Sequence, residues 1–136
     1  MKTARILACA CALAALAFLA GCESAPAHHP KVTRDCVLTP GAPVADVDVG
    51  IETAIRVVLP GPQEGSPLAW EIAENNVHVL EQMNRPTKEP GASSTTVTFY
   101  TLKTGRSVLR FVLVDPAQRE AVPAAIAGVI IHVRED

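Results

Sequence analysis

From Val44 onward, apolar residues fall on alternate positions in short runs, and each run is cut off by proline, glycine, asparagine or serine. A period of two puts successive side chains on opposite faces of an extended chain, so these runs predict half-buried strands. The clearest is 51–59, where Ile51, Thr53, Ile55, Val57 and Leu59 share one face and Glu52, Ala54 and Arg56 the other. A first strand over 44–49 sets Val47 and Val49 against Asp46 and Asp48, and 68–73 carries Trp70, the only tryptophan, with Leu68 and Ile72 at the same parity. Val77, Val79 and Leu80 begin a short strand running toward Met83. Residues 95–102 alternate Val97 and Phe99 with Thr96, Thr98 and Tyr100, and a hairpin-like turn is expected at 103–105. In 106–114, Leu109, Phe111 and Leu113 lie on one side, while Val108, Val112 and Val114 make the strand apolar on both faces, as a central strand is. The last strand, 126–133, turns Ile131 and Val133 inward and His132 and Arg134 outward.

About seven strands and no helix longer than a turn or two predict an all-β domain over residues 44–136, built as an antiparallel two-sheet sandwich. A small closed barrel is the other arrangement this pattern allows. Three polar loops rich in proline and glycine interrupt the strands, at 61–67, 87–94 and 115–125. Proline and glycine there withdraw backbone donors and permit positive φ, so no ladder runs through them.

The amino terminus serves a different purpose. Lys2 and Arg5 precede an apolar run of about 14 residues that ends in Leu19-Ala20-Gly21-Cys22. That run is short for a spanning helix, which needs about 20 residues, and it has the layout of a secretory signal. The four residues resemble the lipobox of bacterial lipoproteins. The resemblance implies that residues 1–21 are a signal peptide, that Cys22 takes a diacylglyceryl group, and that the new amino terminus is acylated. Residues 22–43 then read as the acylated cysteine and a flexible tether, with Pro26, Pro30, Pro40 and Pro43 and few large apolar residues. Glu23 follows the cysteine rather than the aspartate associated with inner-membrane retention in many Gram-negative bacteria. The expected address is the cell envelope, lipid-anchored in the outer membrane and facing the periplasm.

Removing the signal leaves 115 residues, room for one domain, and ten basic residues against fourteen acidic ones. That mildly acidic balance argues against nucleic acid as a partner. With Cys22 in a thioether, Cys36 is left without a partner in the mature chain, as an inert thiol, an intermolecular bridge or a redox site.

Catalytic chemistry finds no set of residues to carry it. His28 and His29 lie in the tether without further ligands at metal spacing, and His78 and His132 read as surface histidines on strands. No Ser or Cys sits beside them in a strained turn, no glycine-rich phosphate loop opens a helix, and the carboxylates are scattered. No catalytic residue, metal site or cofactor is therefore expected, which leaves the three loops on a rigid scaffold as the place for binding.

The order Val57-Val58-Leu59-Pro60, a proline-containing loop, Leu68-Ala69-Trp70, Gly91-Ala92-Ser93-Ser94-Thr95, a turn at Gly105 and Phe111-Val112-Leu113-Val114-Asp115-Pro116 resembles the chagasin-like inhibitors of papain-type cysteine proteases. The resemblance covers about residues 47–134. It implies an immunoglobulin-like sandwich whose three loops enter a protease cleft as a wedge. Carried over by position, Pro62, Gln63, Glu64 and Gly65 stand in the first loop, Gly91, Ala92, Ser93 and Ser94 in the second, and Asp115 and Pro116 in the third. Leu68 stands where the family has an aromatic residue, Ser93 and Ser94 replace two glycines, and the third loop keeps its proline without the family's Arg and Trp. The implied partner is a papain-like cysteine protease, alongside the membrane reached through Cys22. A non-inhibitory envelope adaptor or assembly lipoprotein is the alternative function.

Overall fold

The structure is a computed structural model that describes residues 30–135. The lipobox, Cys22 and the His28-His29 pair lie outside the described residues. Eight strands make up the domain: β1 Val32–Val37, β2 Ala45–Gly50, β3 Thr53–Pro60, β4 Ala69–Glu74, β5 Leu80–Gln82, β6 Ser94–Thr101, β7 Gly105–Val114 and β8 Ala125–Arg134. They form two four-stranded sheets, ordered β1-β3-β6-β5 and β2-β8-β7-β4.

Alternation in the sequence maps directly onto burial. In β3 the side chains of Thr53, Ile55, Val57 and Leu59 are buried, in β6 those of Thr95, Val97, Phe99 and Thr101, and in β8 those of Ala127, Val129, Ile131 and Val133. These rows face one another across the sandwich together with Leu109 and Phe111 of β7 and Trp70 of β4. Phe99 and Phe111 bridge the sheets edge to face, with ring centroids 6.3 Å apart and planes at 69°. Fully burying each such side chain is worth roughly 1.5–3 kcal/mol, so this double row is the main source of stability. The central position expected for 106–114 holds, because β7 lies between β8 and β4.

Four expectations need correction. The domain has eight strands rather than about seven, because Val32–Val37, read as tether, is a strand. It was hidden because its inward positions include Arg34 and Cys36 at the open side of the sandwich, where a polar side chain reaches water. Backbone pairing with β3 holds it in place, from Val32 opposite Thr53 to Val37 opposite Val58. The sheets are also mixed rather than antiparallel. Of six strand pairings, β1 with β3 and β2 with β8 run parallel. The chain crosses from one sheet to the other between β1 and β2 and again between β2 and β3, so each of these edge strands lies beside a strand of its own direction. For the same reason 103–105 is not a hairpin turn: β6 pairs with β3 and β5, and the chain crosses there to β7 in the other sheet. Finally, Ile51, Val77 and His78 lie in turns rather than strands. Glu52 in the β2–β3 turn takes φ of 60°.

Strand directions follow a single rule. Odd-numbered strands run toward one end of the sandwich and even-numbered ones away from it. Every odd-to-even connection therefore lies at the same end: 38–44, 61–68, 83–93 and 115–124.

Candidate functional site

The three loops singled out in the sequence share this end, and strand register explains how. Pro60, the last residue of β3, pairs with Ser94, the first of β6, so the first and second loops spring from adjacent positions. Ala69 opens β4 opposite Val114, the last residue of β7, so Leu68 of the first loop lies beside Asp115 of the third.

In the first loop, the Ser66 amide donates to the Gln63 carbonyl at 3.0 Å, closing a turn with Gly65 at φ 78°. The Leu68 amide donates to Ser66 Oγ at 3.2 Å. Beneath the loop, Trp70 Nε1 donates to the Pro60 carbonyl at 2.7 Å, pinning the last turn of β3 to β4 in the opposite sheet. In the second loop, the Ala92 amide donates to Glu89 O at 3.0 Å around Pro90 and Gly91, the latter at φ 77°. Proline followed by a positive-φ glycine is the combination that type II turns favour, since the glycine supplies the positive φ they require. Reciprocal 2.9 Å hydrogen bonds between Thr87 and Thr96 close the base of that loop.

The two loops touch. The Gly61 amide donates to the Ser93 carbonyl at 2.9 Å. A Cβ at Gly61 would stand 2.8 Å from Lys88 Cε and 3.2 Å from Ser93 O, so glycine is what allows this approach. Pro62, Gln63, Glu64, Gly91, Ala92 and Ser93 then line one concavity of about 420 Å³, with Lys88 lying across it. The sequence nominated both loops; Lys88 was not nominated, and its stem folding over a glycine from another loop leaves no local signal.

Asp115 and Pro116 occupy the third loop on the side of the other sheet. Asp115 Oδ1 accepts from the Ala117 amide and its carbonyl from the Gln118 amide, both at 2.9 Å, so aspartate and proline here build a turn of their own. Arg119 reaches Glu71 of β4 at 2.9 Å, and the Ala124 amide returns to Leu113 O at 2.8 Å. Between this loop and Leu68 lies a second concavity of about 230 Å³, with Val122 on its rim at 92% exposure. An almost fully exposed β-branched side chain at a loop tip is the strongest apolar feature here, and it follows from tertiary placement rather than pattern.

The remaining reactive groups lie elsewhere. The His78 amide donates to Asn76 Oδ1 in a turn at the opposite end, and His132 Nε2 stands 2.7 Å from Asp46 Oδ1 on the outer face of the β2-β8-β7-β4 sheet. Among the described residues no group of three or more His, Cys, Asp or Glu could hold a metal ion. Burial of Cys36 raises its thiol above the ordinary value, against the opposing charge of Arg34, so the nucleophilic thiolate is disfavoured.

No protein-family model matches this chain, and no curated protein does. Solved structures do. The cysteine protease inhibitor EhICP2 from Entamoeba histolytica matches with a TM-score of 0.62 at 17% identity, over 78% of this chain and all of that one. Amebosin matches with a TM-score of 0.51 at 13% identity, over 78% of this chain and all of that one. PbICP-C in complex with falcipain-2 matches with a TM-score of 0.46 at 10% identity, over 82% and 95%. The described residues are all-β and resemble the immunoglobulin-like chagasin fold.

Proposed function

We propose that this protein inhibits a papain-type cysteine protease by occluding its cleft with the loop-bearing end of the sandwich, without any covalent step. The observation that carries this reading is the convergence of the first and second loops on the 2.9 Å hydrogen bond between Gly61 and Ser93, with the third loop alongside at Leu68. It is supported by a fold that matches, over 78% of this chain and all of that one, the cysteine protease inhibitor EhICP2. Turns locked by their own hydrogen bonds lose little entropy on binding, which is how a short wedge gains affinity. The parts of the wedge in this reading are Pro62, Gln63, Glu64 and Gly65, then Gly91, Ala92, Ser93 and Ser94, then Asp115 and Pro116.

In the same reading Cys22 carries lipid, and the inhibitor acts at the envelope, in the outer membrane facing the periplasm. The charged start, the apolar run and the small residues before Cys22 support this. Mass measurement of the mature amino terminus tests it: a diacylglyceryl adduct on Cys22 is expected, and an unmodified cysteine would overturn it.

Inhibition is tested with residues 30–136 titrated against papain and a panel of related proteases. Dose-dependent, fully reversible inhibition is expected, with no adduct on the catalytic cysteine. Absence of inhibition across the panel, with recovery of an envelope complex lacking any protease, would replace this reading with the adaptor.

A further inference from the structure

Beside the wedge lies a fourth turn. Residues 38–44 cross from β1 to β2 at the loop-bearing end, and there the Ala42 amide donates to Thr39 O at 3.2 Å around Pro40 and Gly41, with Gly41 at φ 76°. This repeats the Pro-Gly turn of the second loop. It is held to both sheets, by the Leu38 amide on Val58 O at 2.9 Å and by the Gly41 amide on Ile126 O at 3.1 Å. Between the turn and the root of the wedge runs an apolar groove of about 310 Å³, lined by Val37, Leu38, Pro40, Val58, Pro60 and Ser94 among others. Val37 stands 74% exposed at its edge.

Two observations say what the groove is for. It is continuous with the wedge, because Pro60 and Ser94, the register pair from which the first and second loops spring, are also part of its wall. And none of residues 61–68, 88–94 or 115–124 is aromatic. Stable protein contacts bury about 800 Å² on each side around an apolar core, and aromatic residues usually supply that core. Here the wedge brings Val122 as its one large exposed apolar tip, so the partner must find further apolar surface next to it.

Resting on the inhibitor reading above, we infer that the binding surface extends over the 39–42 turn, and that the groove accepts an aliphatic or aromatic side chain from the rim of the same protease cleft the wedge enters. The usual polarity of the anchor is reversed: the partner supplies the large side chain and this protein the slot. Because the turn and β1 are held by backbone bonds, the slot is preformed and costs little to order.

The test uses the full acylated chain in detergent, with papain as the probe. Val37→Glu places a charge at the groove's edge from an exposed position, so it leaves thermal unfolding unchanged; it is expected to weaken inhibition at least tenfold, through faster dissociation. Separately, a photocrosslinking residue at position 37 is expected to capture papain, and one at exposed Val77, at the far end of the sandwich, is not. If wild-type protein inhibits while Val37→Glu inhibits within twofold of it and position 37 captures nothing, the extension is overturned and the wedge stands. If wild-type protein inhibits no papain-type protease, both fall together.

Discussion

The indole Nε1 of Trp70 donates to the carbonyl of Pro60 at 2.7 Å, tying β4 of one sheet to the end of β3 in the other, directly under the first loop. Trp70 is thus both a core residue, at 4% exposure, and the strut beneath the first loop. Replacing it by Phe removes the hydrogen bond and part of the ring. The loss should be about 1–3 kcal/mol, from one hydrogen bond and incomplete filling of the site. Thermal unfolding followed by circular dichroism should fall by several degrees, and under the proposed function inhibition should weaken more than stability, since the root of the first loop is released.

The approach of Gly61 to Ser93 makes a second prediction. Gly61→Val should push Lys88 aside and strain the Ser93 carbonyl, costing about 1–3 kcal/mol as overpacking does. Lys88→Ala in the same background removes the flexible part of the clash while the Ser93 carbonyl stays, so it should recover only part of that stability. Denaturant unfolding of the single and double variants measures the difference.

Backbone strain at Glu52 can be separated from its ion pair. With φ of 60°, Glu52 occupies a region costing a side-chain-bearing residue roughly 1–2 kcal/mol, while its salt bridge to Lys31 is solvent-exposed and worth little. Glu52→Gly should therefore unfold within about 0.5 kcal/mol of wild type although it deletes the pair. Glu52→Val deletes the pair as well but keeps a side chain at φ of 60°, now a β-branched one, and should therefore be less stable than Glu52→Gly. Equal losses in the two variants would show that the turn is not strained.

Acid should reveal the clasp between β2 and β8. Arg134 Nε donates to Asp48 Oδ1 at 2.9 Å, and this bond holds the Asp48 carboxyl below its usual value of 3.8. A carboxyl depressed in the folded state contributes stability above its unfolded value, and that contribution disappears as pH falls through the folded one. Wild type and Asp48→Asn should therefore differ in melting temperature at neutral pH and converge below about pH 4, and salt should shrink the difference at this exposed site.

Cys36 should behave in the opposite sense. Burial raises its thiol, so the protonated form is retained to higher pH and alkylation by iodoacetamide at pH 8 should be slower than for an unfolded thiol. Its raised value adds stability below the ordinary thiol range that is lost as pH climbs through the folded one. Labelling rates with and without urea measure this directly.

Where a strand is half-buried, its position could be read from the residues alone. β3, β6, β7 and β8 each place a hydrophobic row on one face, and the solvent on the other face leaves its imprint as threonine, arginine or histidine. β1 escaped because edge strands need no such row. Arg34 points to the open side of the sandwich, where its Nη1 donates to the Asp48 carbonyl at 2.6 Å, so its polarity is compatible with a strand and indistinguishable from a tether. Likewise Pro40-Gly41 and Pro90-Gly91 look alike as dipeptides, and only the tertiary structure brings them to the same end of the sandwich.

Period-two alternation and the punctuation by proline and glycine determined an all-β domain, its central strand, and three loops unable to join a ladder, because burial on one face and missing backbone donors are local properties of the chain. That the strands close as a two-sheet sandwich rather than a barrel was decided by the tertiary structure. Which strands pair, that two of the pairings are parallel, and that Gly61 meets Ser93 were decided by the tertiary structure. The two parallel pairings and the Gly61–Ser93 contact join residues more than twenty positions apart, and they depend on the crossings the chain makes between the sheets, which no local pattern encodes.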